Sequence, residues 1–145
     1  MTALLDVNLL VALFDPEHVH HHIAHDWFSE YGDPWATCPL TENGALRVLS
    51  DPAFELRMPV ARVATALRRL CERSDHRFWP DDVSLLDSAV VDFTHVRGHK
   101  QLSDVYLLAL AVKNSGRLVT LDDGIPMAAV KGARREHLVV LAPSE

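Results

Sequence analysis

Four carboxylates stand at the borders of apolar segments rather than on polar helix faces. Asp6 ends the run in LLDVN, Glu42 follows WATC in CPLTENGALRVL, Asp104 opens QLSDVYLLALA, and Asp122 ends RLVTLDDG. Glu17, Glu30, Glu72, Glu136 and Glu145 fit ordinary solvated faces. Singly, each of the four reads as a helix cap or a turn residue. Brought together they pose an electrostatic problem: two carboxylates about 4 Å apart repel by about 4 kcal/mol at an effective dielectric of about 20. A hard divalent cation relieves that repulsion, and an all-oxygen acidic set without matching Cys or His suits Mg²⁺ or Mn²⁺. Glu42 and Asp104 also fall in first helical turns, with Thr41 and Ser103 placed as N-caps, where the helix dipole helps keep them ionised.

The elements that must position these acids follow from hydrophobic patterning. Ala3–Leu5, Trp35–Cys38, Leu118–Leu121 and Leu138–Leu141 are short apolar runs bounded by breakers, with Arg77–Trp79 a weaker fifth. Runs apolar on both faces suit a parallel sheet covered by helices on each side. Helical stripes lie between them: Leu9–Phe14, then Ile23, Ala24, Trp27 and Phe28, and then Val60, Val63, Ala64, Leu67, Leu70 and Cys71. Residues Leu102 to Val112 are apolar nearly all round, so this helix is expected to be buried or to pack on another subunit. The order predicts right-handed crossovers and an α/β fold, with no linker dividing residues 1–145. In such a sheet the strand carboxyl ends share one crevice, where ligands collect. Residues Asp81 to Gly98 carry no periodicity that assigns an element.

With 145 residues, one domain is expected. Apolar residues make up 48% and charged residues 23%, which is globular usage. A net charge of −6 opposes nucleic-acid binding by bulk charge alone. Two cysteines, Cys38 and Cys71, fit a reducing compartment. The apolar N-terminus lacks a basic flank and carries Asp6 and Asn8, so no membrane segment and a cytoplasmic location are expected.

The set LLDVNLLVAL, TENGALRVL, QLSDVYLLALA and RLVTLDDG, in this order along almost the whole chain, resembles the PIN-domain proteins. More narrowly it resembles the VapC-type toxins of bacterial type II toxin–antitoxin pairs; HRFWPDD and HVRGHKQLSD are similar to the same branch. The resemblance implies a three-layer α/β/α sandwich with a central, mainly parallel sheet. It also implies a Mg²⁺- or Mn²⁺-dependent endoribonuclease that leaves a 5′ phosphate and a 3′ hydroxyl. Carried across, Asp6, Glu42, Asp104 and Asp122 match the catalytic metal-binding acids, and Asn8 and Thr120 match the small polar residues that support them. Asp123 follows Asp122, so either could face the metal; the spacing from Thr120 favours Asp122. The resemblance further implies an RNA substrate, a cognate small antitoxin and a homodimer.

Arg97 and Lys100 stand closest to Asp104 in sequence among three basic groups and are the candidates for RNA phosphates. The run HVHHHIAH invites a zinc reading through His18, His22 and His25. No Cys lies nearby, however, and Ile23, Ala24 and Trp27 fit a packing stripe on the same helix. Two other classes fit part of the pattern. One is a catalytically inactive PIN-like binding protein. The other is a Mg²⁺-binding phosphoacceptor domain, which wants paired acids after the first strand and a well-placed Lys after the last. A dinucleotide enzyme is excluded because Val7-Asn8-Leu9 offers no Gly-rich turn.

Overall fold

The computed structural model describes residues 1–54 and 57–141. Five short strands, β1 (Ala3–Leu5), β2 (Trp35–Thr37), β3 (His76–Phe78), β4 (Arg117–Thr120) and β5 (Leu138–Val140), form one parallel sheet in the order β3-β2-β1-β4-β5. The helices are α1 (Val7–Phe14), α2 (His21–Glu30), α3 (Pro39–Leu49), α4 (Val60–Cys71) and α5 (Leu102–Lys113). Each parallel connection needs a crossover; α1 and α2, α3 and α4, and α5 supply the first three, whereas β4 reaches β5 through 3-10 turns at Met127–Ala129 and Arg135–His137.

The alternation of side chains along the strands builds two cores. Leu4 pairs with Ala36 and Leu118, and these three face α5. Ala3, Leu5, Trp35 and Val119 point the other way, into the core shared by α1, α3, α4 and Ala24 of α2. The result is a three-layer sandwich. α5 is buried along Leu107–Ala111 against its own sheet face, so its all-round apolarity is satisfied within the chain. The segment without periodicity covers the same face: Val91 is buried, and Val83, Leu85, Val90 and Val96 pack beside it, with a lone antiparallel bridge between Val91 and Val130.

Several boundaries differ from the expectation, each for a local reason. α1 starts at Val7 rather than Leu9 because the Asp6 side chain caps it, accepting from the Val7 N–H. α3 starts at Pro39, with Cys38 at the N-cap position instead of Thr41; Thr41 sits inside the first turn and accepts from the Cys38 N–H at 3.0 Å. Ser103 does not cap α5. A 3-10 turn at His99–Gln101 runs into the helix, which places Gln101 at the cap and leaves Ser103 exposed in the first turn. Among the described residues, no helix is long and apolar enough to cross a membrane.

Candidate active site

The strand order reverses between β1 and β4, so their carboxyl ends open the crevice in which ligands bind in sheets of this kind. Asp6 follows β1 directly and is 5% exposed. One of its oxygens accepts from the Val7 N–H and the other from the Thr120 hydroxyl, both at 2.7 Å. Burial raises the Asp6 pKa, the two hydrogen bonds oppose that rise, and the Asp122 charge adds to it.

Thr120, at the end of β4 and fully buried, organises the neighbourhood. Its hydroxyl donates to Asp6 and accepts from the Asp122 N–H at 3.0 Å and from Asn8 Nδ2 at 3.2 Å. The Asn8 carbonyl oxygen in turn accepts from the Leu121 N–H at 3.2 Å. The chain leaving β1 is thereby tied to the chain leaving β4 through side chains, a link that the ladder alone does not make.

Asp104, in the first turn of α5, completes an interacting group. Burial pushes its pKa up to about 7, and the charges of Asp6 and Asp122 push in the same direction. Two contacts hold the loops in place: Gln101 Nε2 donates to the Gly124 carbonyl at 3.3 Å, and the Gly124 N–H donates to Asp122 at 2.8 Å. Asp123 is exposed and is not among the groups acting on Asp6 or Asp104. Of the two neighbours, Asp122 is the one that faces the cluster.

Glu42 is placed elsewhere. The face of α3 turned to the Asp6–Asp104 crevice carries Leu40, Gly44, Arg47 and Val48, which line it together. Glu42 is two residues beyond Leu40 and so is rotated by about 200° around a helix of about 3.6 residues per turn. Its carboxylate accepts from the Thr37 hydroxyl at 2.6 Å. Glu42, Cys71 and His76 each offer a ligand atom, and these atoms lie within 4.8 Å of one another, which makes a candidate metal-binding triad. The three aspartates form no group that tight among the described residues.

The crevice itself is a cavity of about 480 Å³. Asp6 and Asp104 give it its carboxylates and Asn8 an amide, and Arg47 and His18 line the same space. Arg47 does not stand out in the sequence as a site residue, and His18 is singled out there only for the zinc reading of HVHHHIAH. Arg47 could have been found from its spacing, one and two turns beyond Gly44 and Leu40 on a single helix face. Arg97 and Lys100 are exposed on the loop before α5 and do not line this cavity; the Arg97 backbone N–H donates to Gln101. His20 is partly exposed and His22 exposed, whereas His21 contacts the Ala12 carbonyl at 2.7 Å. Trp35 and Trp79 are buried in the core.

Comparison with known proteins agrees with this architecture. Residues 3–131 match the family model described as the PIN domain. Ribonuclease VapC44 of Mycobacterium tuberculosis is 44% identical over 142 residues, covering 97% of this chain and all of that one. Ribonuclease VapC39 of the same species is 41% identical over 134 residues, covering 91% and 96% of the two chains. Among solved structures, M. tuberculosis VapC20, described as a sarcin-ricin loop cleaving toxin, superposes with a TM-score of 0.60. The match covers 80% of this chain and 85% of that one at 14% identity, a likeness of fold alone. Sequence, topology and the acids gathered at the switch point agree, and the chain belongs to the PIN-domain family, in its VapC branch.

Proposed function

We propose that this protein is a Mg²⁺- or Mn²⁺-dependent endoribonuclease, the toxin of a toxin–antitoxin pair, working in the cytoplasm. The observation that carries the reading is the meeting of Asp6, Asp104 and Asp122 where β1 and β4 end, at which burial first, and then the charges of Asp6 and Asp122, push the Asp104 pKa up to about 7. Such an arrangement is costly in a metal-free protein and is relieved by a divalent cation. The donors are all hard oxygens, which fits Mg²⁺ or Mn²⁺. A metal held there supplies Lewis-acid stabilisation of phosphate charge and a water of lowered pKa.

The chain's own residues have separate tasks. Asp6, Asp104 and Asp122 hold the charge that recruits the ion. Thr120 and Asn8 fix the orientation of Asp6 and of the backbone at Leu121 and Asp122. Arg47, which lines the same crevice, can take an RNA phosphate, which offsets the overall charge of −6 locally. Arg97 and Lys100 stand further out, where they would meet RNA flanking the scissile bond. Glu42, implied by the family resemblance to be a fourth ligand, points away from this crevice and is not assigned a catalytic role. The relatives named as VapC ribonucleases support the substrate class; membership of the same branch favours a small antitoxin partner, and the homodimer rests on the sequence resemblance alone.

The test is incubation of purified protein with total RNA, with and without Mn²⁺ or Mg²⁺, followed by mapping of new 5′ ends. Cleavage leaving 5′ phosphates, absent in EDTA and in Asp104→Asn, is the expected result. Cutting that survives both chelation and Asp104→Asn overturns the assignment.

A further inference from the structure

We propose that Glu42, Cys71 and His76 form a second metal site, for Zn²⁺ or a similarly thiophilic divalent ion, separate from the aspartate crevice. The three come from different elements: Glu42 from the first turn of α3, Cys71 from the last residue of α4, and His76 from the start of the edge strand β3. Their ligand atoms already lie within 4.8 Å of one another, and all three residues are half-buried. A tetrahedral zinc ion with its ligands about 2.0–2.3 Å away needs only a small further closure of such a triad.

The donor chemistry separates this site from the first. One sulfur, one imidazole nitrogen and one carboxylate oxygen make a borderline-soft set that selects zinc, whereas the aspartates offer hard oxygen alone. Without an ion the Thr37 hydroxyl bridges Glu42 and His76, and an ion would displace it from His76. That hydroxyl donates to Glu42 Oε2 at 2.6 Å, leaving Oε1 free for an ion. The same hydroxyl lies 2.8 Å from His76 Nε2, the nitrogen that an ion would take over. Three protein ligands leave a fourth position, and beside Glu42 and Cys71 lies a cavity of about 260 Å³ bordered by Arg68. Water or a small anion fits that position. Binding through Cys71 displaces its thiol proton, so affinity rises with pH.

The structural result is a clamp. β3 is the sheet's outer strand on that side, with Arg77 and Phe78 exposed, and an ion would bind its first residue to the ends of two helices. This proposal does not rest on the nuclease reading.

The experiment is a titration of the whole protein with Co²⁺ as a spectroscopic stand-in, followed by Zn²⁺ competition. The expected result is a near-ultraviolet thiolate-to-cobalt charge-transfer band with tetrahedral visible bands, displaced by Zn²⁺. The band is lost in Cys71→Ser, and Zn²⁺ affinity falls at least about tenfold in His76→Gln. Both bands persist in Asp104→Asn, which disables the other site. Circular dichroism confirms that each variant is folded. No charge-transfer band in the wild-type protein, or a band retained in folded Cys71→Ser, overturns the site. Mn²⁺-dependent RNA cleavage is scored separately, so failure of one assignment leaves the other standing.

Discussion

Thr120 and Asp6 are 114 residues apart in the chain, yet the Thr120 hydroxyl donates a 2.7 Å hydrogen bond to the Asp6 carboxylate inside the core. A buried carboxylate needs such partners, and this donor favours its ionised form. The same oxygen accepts from the Asp122 N–H, so one hydroxyl governs both the charge of Asp6 and the path of the loop carrying Asp122.

Thr120→Val keeps the shape and removes that hydroxyl. Its loss leaves Asp6 with a higher pKa and the Asp122 N–H without its acceptor. Mn²⁺ affinity measured calorimetrically at pH 7 is expected to fall about 10–100-fold, the usual effect of removing support from a metal ligand. An unchanged affinity would show that Thr120 has no part in ordering the site.

Stability of the metal-free protein should depend on pH with a definite sign. Asp6 and Asp104 both have raised pKa values in the fold, Asp104 from 3.8 to about 7. The unfolded chain releases these protons more readily, so the contribution of these groups to stability is full below pH 3.8. For Asp104 it declines as pH rises to about 7. Asp104→Asn is expected to flatten that decline and to raise the melting temperature of the metal-free protein near neutral pH. Saturating Mn²⁺ should reverse the decline in the wild-type protein only. Thermal melts from pH 4 to 8 measure all three.

Arg47 faces the crevice from α3. Arg47→Ala should weaken RNA binding about equally for all sequences and lower the slope of log affinity against log salt by about 1. Turnover at saturating RNA should change less than KM. A selective loss for one RNA sequence would instead mark Arg47 as a base-reading residue.

Gly44 packs where a side chain has no room: an added Cβ would stand 2.5 Å from Val7 Cγ2. Gly44→Ala is expected to cost about 1–3 kcal/mol of stability by overpacking. Val7→Ala should recover most of that loss in the double variant, as chemical denaturation of the four proteins would show.

Much of this architecture was legible in the residues. Asp6, Asp104 and Asp122 stood out because each borders an apolar run; in the fold Asp6 and Asp104 line one crevice and the Asp122 charge acts on both. The rotational position of Glu42 was not legible. It depends on where α3 begins, and a shift of one residue turns a side chain by about 100°. The apolar residues of α3 that line the crevice, Leu40 and Val48, gave no such warning. The covering role of Val83, Leu85, Val90 and Val91 was hidden too, because irregular backbone follows no period and its place is decided by the face it must cover. β3 was faint for a third reason: as an edge strand with two exposed residues of three, it has little apolar signal to show.

At Gly44 the crevice is walled by main chain in place of a movable group. Main chain has no rotamers to adjust, so that patch of the chamber presents one fixed outline to every molecule that enters. Any tuning of which molecule is accepted must therefore come from the side chains around it, Leu40 and Arg47 on the same helix and Ser103 and Asp104 at the start of α5.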